Sequence, residues 1–463
     1  MTTSKESEYM IIEALEDDFS VLLDGESDYD ARIEYSVDGE TWNDLKGNQT
    51  TTPVSNGTLL LFRGKYTYNA NVPTHFSISK RCNLKGNCMA LLGDKYAIRN
   101  KTLGGKAQAF YNLFFGCTGI INVDENFLPA TSLAKDCYSC MFSYCTSLTT
   151  APELPATTLA EHCYDNMFRG CTSLTTAPEL PATTLADSCY YYMFYGCTNL
   201  TTAPALPATT LKEYSYEYMF SDCTSLTTAP ELPATTLAYN CYCGMFSGCS
   251  SLTTAPELPA TTLADSCYYD MFSYCTSLTT APELPATTLA EHCYGFMFLY
   301  CKKLKYIKML ATDISASNCL SVWVSSVAST GTFVKNPAMT SLPSGTNGIP
   351  SGWTVVNDGE ESGGDLHLTL NTTNDDNIKA FQLMESEKVE NINGDFDWKP
   401  NNTIIYVSGQ AGGGSFTNTP ITWANQSKNS SNWNIYFENM SEIGISPMCF
   451  LHSNGLLEAF DDD

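Results

Sequence analysis

Residues 145–170 read CTSLTTAPELPATTLAEHCYDNMFRG, and residues 171–196 read CTSLTTAPELPATTLADSCYYYMFYG. The leading cysteine returns as Cys145, Cys171, Cys197, Cys223, Cys249, Cys275 and Cys301, at a constant period of 26 residues. Cys117 stands one longer step earlier, in a copy that INVDENFLPATSLAKD stretches by two residues. A fixed period between about 20 and 50 residues predicts a solenoid or related array. A unit this small cannot bury a core by itself, so neighbours stack and share one. Leu148, Ala151, Leu154, Leu159, Cys163, Met167 and Phe168 recur in nearly every copy and are the candidate core. SLTTAPEL predicts a short strand, PATT a corner, and LAEHCYDNMF a second edge with a helical or 3₁₀ turn. Pro152 and Pro155 cannot donate to a sheet ladder, which places them at strand ends and corners. Stacked at a strand spacing of about 4.8 Å, such coils form a rod roughly 40 Å long.

The chain has 463 residues, room for roughly three domains of about 150 residues each. Its 24 basic and 50 acidic residues leave a formal net charge of −26. That disfavours nucleic acid as a partner, because no cationic field is spare to displace counterions from phosphates. It suits solubility, cation binding or a cationic partner. The start, MTTSKESEYMIIEALEDDFS, lacks the basic stretch and long apolar run of a secretory signal. No segment reaches the roughly 18 apolar residues of a membrane span. The expectation is a chain that does not insert in membranes and does not leave a cell by the usual signal route, though lysis could release it as part of a phage particle.

The string C-x-x-L-x-x-…-F-x-x-C, present here as CTSLTTA…MFRGC, resembles the BspA-type leucine-rich repeat. The resemblance covers about residues 105–310. The family's unit is usually nearer 23 residues, roughly, and this one adds a proline-rich corner. The resemblance implies a leucine-rich-repeat-like solenoid of short strands, turns and 3₁₀ or short helical segments. It also implies a place among the surface proteins of gut Bacteroidetes or the phages that infect such bacteria. The flanks ARIEYSVDGETWNDL and WVSSVASTGTFVKNPAMTSLPSGTNGIPSGWTV resemble those of Bacteroides prophage and crAss-like phage repeat proteins, which favours a virion protein.

Sixteen of the 20 cysteines lie between Cys117 and Cys301, in register with the repeat. Full units hold a pair eight apart, such as Cys163 and Cys171 or Cys267 and Cys275. Three readings compete. A zinc site prefers ligands two to four apart with a second such pair or histidines, and the nearby His162 and His292 are missing from the other copies. A disulfide per coil suits an extracellular protein, yet Ser215 replaces the first cysteine of one copy and leaves Cys223 without its partner. Buried thiols acting as small hydrophobes fit that substitution, and the resemblance implies a turn position where Asn or Cys is usual. No metal or cofactor is expected.

The copies differ chiefly just before the first cysteine and between the two: EH, DN and RG in residues 145–170, other letters elsewhere. Asp165, Arg169, Tyr191, Tyr192, Tyr195, Glu217, Tyr218, Tyr269, Asp270, Tyr274 and Tyr300 crowd this variable face. Tyrosine is a rigid, amphipathic contact residue, so a varying face on a fixed scaffold reads as a recognition surface. Drift on a solvated edge, with tyrosines covering an apolar rim, explains the same letters. A second stripe, Glu153, Glu179, Glu231, Glu257 and Glu283, is broken by Ala205. Stacked like charges repel, so the stripe either binds cations or a basic partner or simply solvates the edge and discourages lateral aggregation.

The remaining segments complete the expected division: a β-rich N-terminal domain (1–104), the 26-residue-repeat solenoid (105–310), a capping segment (311–356), a linker (357–365) and a small β-rich C-terminal domain (366–463). In the first, Ile33, Tyr35 and Val37 alternate before Asp38-Gly39, a hairpin signal. CKKLKYIKML breaks the repeat, NCLSVWVSSV reads as helical, and Trp323, Phe333 and Trp353 are placed to seal the open end. The histidines form no catalytic motif, and no base stands beside a nucleophile or metal set. The expected function is therefore non-enzymatic: a phage tail or head appendage whose solenoid contacts a bacterial surface glycan or protein. One terminal β domain would bind other virion proteins, and the assembly would be a homo-oligomer. A bacterial surface adhesin, or an architectural virion spacer, is the alternative.

Overall fold

The computed structural model describes residues 8–25, 32–66, 74–359 and eight further strands between 367 and 459. They fall into two units, Met1–Val355 and Val356–Asp463.

The first unit begins with β1 (Met10–Ala14), β2 (Leu22–Asp24), β3 (Arg32–Ser36), β4 (Asn43–Leu45), β5 (Gln49–Thr50), β6 (Leu59–Lys65), β7 (His75–Ser77) and β8 (Cys82–Gly86). A six-stranded sheet runs β4-β3-β6-β1-β8 and then adds β9 (Ile120–Val123) as its last strand. MIIEA and LLLFRGK take the middle because their apolar runs are covered on both faces. Ile33 and Tyr35 are buried, but Val37 is exposed in the turn, where Asp38 Oδ1 accepts from the Glu40 and Thr41 amides. Those two bonds hold the Asp38 carboxyl down at about 2.

The sheet and the repeats are not separated at residue 104. β9 belongs to the first coil and pairs parallel with β8. One hydrophobic core runs from Met10 to Trp353.

Within the array each coil has one wall of consecutive turns. In residues 160–171 the even-numbered amides leave the coil. His162 donates to the Asp187 carbonyl (3.1 Å), Tyr164 to Cys189 (3.1 Å), Asn166 to Tyr191 (2.8 Å), Phe168 to Met193 (2.9 Å) and Gly170 to Tyr195 (2.8 Å). The odd-numbered amides, from Cys163 to Cys171, turn back three residues at 3.1–3.3 Å. Every second turn has φ > 0 at its third residue, as a type II turn requires: φ is 53° at His162, 53° at Asn166 and 69° at Gly170. The same alternation recurs from Gln108 to Tyr300. LAEHCYDNMF is therefore a ribbon of turns and not the helical or 3₁₀ segment expected.

The opposite side of the coil is held by single parallel bridges, such as Thr176↔Thr202, Thr202↔Thr228 and Thr158↔Thr184. SLTTAPEL does not extend into a strand. Proline lacks the amide that would lengthen the ladder, and Ala-Pro follows directly on the bridging threonine. Two coils lack this proline pair. Both form four-residue strands: β9 in the first, and β10 (Tyr306–Met309) in the last, paired parallel with β11 (Thr332–Lys335), which β12 (Thr354–Asn357) flanks.

Two aromatic columns fill the interior. Phe114, Phe142, Phe168, Phe194, Phe220, Phe246, Phe272 and Phe298 stack at 5.6–5.9 Å with their planes within 3–9°. Phe110 and the tyrosines 138, 164, 190, 216, 242, 268 and 294 stack at 5.7–6.1 Å. Each ring pair contributes about 0.5–1.5 kcal/mol beyond the area it buries. Both columns end on Trp323. At the other end Phe114 stacks on Phe76 of β7 at 5.6 Å.

The between-coil amides all point the same way, so the two ends of the stack need opposite caps. At the first coil bare carbonyls remain, and β7 and the residue that follows β6 supply donors. The Phe76 amide bonds the Leu113 carbonyl (2.9 Å), and the Tyr66 hydroxyl bonds the Tyr111 carbonyl (3.1 Å). At the last coil bare amides remain, and residues 346–348 supply acceptors. Val322 donates to Asn347 Oδ1 (2.7 Å), and Val324 to the Thr346 carbonyl (3.4 Å). Trp323 and Trp353 are also tied by their indole N–H groups, to Gly348 (2.9 Å) and Ala328 (2.7 Å) carbonyls. Trp323, Phe333 and Trp353 are buried, as a seal requires. The repeat geometry outlasts residue 310: Asn318, Val322 and Ser326 have φ of 52°, 54° and 63°, so NCLSVWVSSV is one more turn wall and not a helix.

In the second unit the strands His367–Asn371, Ala380–Met384, Leu456–Ala459, Met448–Leu451, Asn432–Phe437 and Trp423–Asn429 form a sheet in that order, and Ile405–Ala411 pairs with Gly414–Ile421. Residues 360–365 of the expected linker lie outside the described residues.

Val322 is a β-branched residue with φ of 54°, a conformation that Asn tolerates and that Asn166 adopts at the matching position of an inner coil. Val322→Asn should stabilise the protein by about 1 kcal/mol, read as a higher urea midpoint at unchanged slope.

Candidate functional site: the turn wall

Side chains on the turn wall alternate in pairs. Cys163-Tyr164 and Met167-Phe168 are buried, whereas 161–162, 165–166 and 169–170 face outward. Most edits between copies fall on the outward pairs, with Ser215 an exception among the inward ones.

Most of the predicted face comes together, and much of it packs upon itself. Arg169 lies over three rings, Tyr144 (5.7 Å), Tyr192 (5.6 Å) and Tyr195 (5.0 Å). Tyr192 in turn touches Tyr191 (4.4 Å), Tyr195 (5.2 Å) and, stacked one coil on, Tyr218 (4.9 Å). Tyrosines lean on glycines of the following coil. A Cβ on Gly170 would come within 2.7 Å of the Tyr144 ring, one on Gly295 within 2.9 Å of Tyr269, and one on Gly244 would collide with Tyr218. The edits in neighbouring copies are thus matched in size. Tyr274 and Tyr300 form a separate exposed stacked pair at 4.8 Å. Asp165 belongs to another group, accepting from Asn166 and lying 3.2 Å from His162 Nδ1. That contact raises the His162 pKa.

Glu217 departs from the expected exposed face: it is only 7% exposed. Asn240 donates to its Oε1 over a long 3.4 Å, and its enclosed Oε2 receives no hydrogen bond. The Cys243 thiol, a weak donor, lies beside the carboxyl. Burial pushes Glu217 up to about 7. Asp270, on the far side of Cys243, is pushed up to about 6 by burial, against hydrogen bonds from Ser273 and Ser247. Sequence reasoning missed Asn240, Cys243 and Gly244. The signal was YCGMFSG, the copy in which a thiol and a glycine stand where others carry bulky groups.

The glutamate stripe is different in kind. Glu153, Glu179, Glu231, Glu257 and Glu283 are all exposed, and Glu283 pairs with Lys308 at 3.3 Å. None of the other four joins an ion pair among the described residues. Exposed pairs of this sort are worth little.

The nineteen cysteines from Cys82 to Cys319 are all free thiols. Those of the anchoring row donate to the Phe carbonyl of the preceding coil: Cys171 to Phe142 (3.1 Å), Cys197 to Phe168 (3.1 Å) and Cys301 to Phe272 (3.0 Å). Burial raises their pKa, Cys197 to about 12. The other row, with Ser215 in place of one thiol, is buried likewise, and Cys189 is pushed up to about 12. Among the described residues no three His, Cys, Asp or Glu side chains converge as a metal set, and no helix is long and apolar enough to cross a membrane.

Residues 135–279 and 216–320 match the family described as BspA type leucine rich repeat region, in 6 copies. Over residues 135–320 the array is similar to a BspA-type leucine-rich repeat region. No curated protein and no solved structure gives a match to this chain.

Two predictions follow from the buried groups. Native protein should resist thiol labelling, with the half-buried Cys140 reacting first and every thiol reacting in denaturant; rapid native labelling of Cys171 or Cys197 would contradict the packing. Glu217 binds its proton more tightly folded than unfolded. Its contribution is therefore full below the usual carboxylate pKa near 4.5 and is lost as pH rises through about 7. The loss is at most about 3 kcal/mol. Glu217→Gln should remove that decline in a urea-unfolding series across pH.

Proposed function

We propose that this chain is a non-enzymatic attachment protein, a solenoid flanked by β-rich domains that presents its turn wall to a bacterial envelope. The ligand on this reading is a surface glycan or protein. The carrier is a phage particle, whose other proteins bind a terminal β domain, with several copies assembled together. The observation that carries the reading is the concentration of the edits in the outward pairs of the turn wall, while the inward pairs change little, Ser215 for a cysteine being one such change. The tyrosines there pack on one another and on glycines, and tyrosine is also a frequent anchor of binding surfaces. The repeat family supports the surface part of the proposal, since BspA-type repeats are common on surface and adhesion proteins. The same family match favours a second setting for the same activity, the surface of a bacterium.

Labelled chain mixed with whole bacterial cells should bind saturably. Replacing Tyr191, Tyr192 and Tyr195 together by Ala should weaken that binding by about tenfold or more. Binding unchanged in the triple variant would refute the role given to the turn wall. Mass spectrometry of purified phage particles decides the carrier: absence from particles excludes the virion and leaves the bacterial surface.

A further inference from the structure

We propose that the turn wall holds a binding site for an organic cation, a guanidinium or primary ammonium group of the kind a basic side chain presents, formed by the Glu217 carboxylate and the rings of Tyr191, Tyr192 and Tyr218. The site goes beyond attachment as such and does not depend on which particle or cell carries the chain.

The first ground is an unmet bond. Glu217 is more than nine-tenths buried, and its Oε2 is enclosed without a donor. Enclosed oxygens without partners are uncommon in folded proteins, because the group loses water and gains nothing in return. Asn240 and Cys243 offer one long bond and one weak donor to the whole carboxyl. Among the described residues no Lys or Arg forms an ion pair with Glu217 or Asp270. What the cluster lacks is positive charge.

The second ground is independent. The same surface already holds a cation by its ring faces, for Arg169 sits on Tyr144, Tyr192 and Tyr195. Ring faces carry negative potential and attract cations, guanidinium above all. Tyr192 is shared: Arg169 lies over it, and Tyr218 stacks on it toward the Glu217 coil. The ring surface therefore continues past the chain's own cation to a carboxylate that has none.

The chemistry selects the ligand class. A divalent metal needs several converging oxygen, nitrogen or sulfur ligands, and the described residues offer no such set. A planar or tetrahedral N–H donor needs one carboxylate and ring faces. Desolvation makes this carboxylate a stronger partner than any residue of the exposed glutamate stripe. The chain's net charge of −26 draws cations toward it.

The titratable groups facing Glu217 are Tyr191 and Tyr192 from the preceding coil, Tyr214 in its own, and Cys243 from the following one, with Asp270 beyond. The cation requires the ionised carboxylate. Below about pH 7 binding must first expel the proton that Glu217 holds, so affinity falls as pH falls.

Saturation-transfer NMR on the full chain tests the site with N-acetyl-arginine amide, against N-acetyl-citrulline amide as its neutral isostere. At pH 8 the arginine probe should bind saturably and the citrulline probe should not. Its affinity should drop about tenfold in Glu217→Gln, remain in Glu231→Gln, and weaken steadily between pH 8 and pH 5.5. Should Glu217→Gln lose its native circular dichroism, the probe pair and the pH series on the unaltered chain still decide. Equal binding of the two probes, unchanged affinity in folded Glu217→Gln, or affinity flat with pH would overturn the proposal. Because no cell enters the measurement, its failure would leave the attachment reading standing, and the failure of cell binding would leave this site standing.

Discussion

The array depends on one division of labour among backbone amides. Along the turn wall every second N–H closes a turn inside its own coil, and every other one reaches the next coil. This arrangement satisfies the wall's donors without a helix or a strand. It has a conformational cost, because one residue in four must adopt a left-handed backbone, and most of those residues are not glycine. The aromatic columns and the leucine, methionine and cysteine rows offset that cost, since they gain only when coils repeat in register. The near-constancy of the inward letters follows from this.

The same alternation makes the stack polar. Its first coil shows carbonyls and its last shows amides, so the two closing elements are chemically opposite: Phe76 and Tyr66 as donors, Asn347 and Thr346 as acceptors. Proline sets the other side of the coil. Where the proline pair is present the ladder is one bridge long, and in the two terminal coils that lack it the ladder grows into β9 and β10 and joins flanking sheets. The repeat thus ends by the removal of proline as much as by the addition of caps.

On the outer surface the turns hold bulky groups in matched pairs, a ring over a glycine of the next coil. Packing therefore explains part of the variation that sequence reading attributes to recognition. It does not explain Glu217, which is buried with an acceptor left bare, while the nearby Arg169 lies over rings and forms no ion pair among the described residues. The cation site proposed above would join these two groups, of which only the rings beside Arg169 are filled from within the chain.

The period, the stacked architecture, the buried thiols and the sealing role of Trp323 were all legible in the sequence, because each depends on a residue type repeating at a fixed interval. The turn ribbon was legible in principle: constant and edited pairs alternate with a period of four, which neither a strand nor a helix produces. Other features could not be read this way. Tyr218 and Gly244, or Glu217 and Cys243, are 26 residues apart and become neighbours only when one coil lies on the next. By itself the sequence determined that coils must stack, since a 26-residue unit cannot bury its own core. Only the tertiary structure decided which carboxylates lose their water: it buries Glu217 between coils and leaves the glutamate stripe in solvent, and burial, unlike charge, is a property of neighbours.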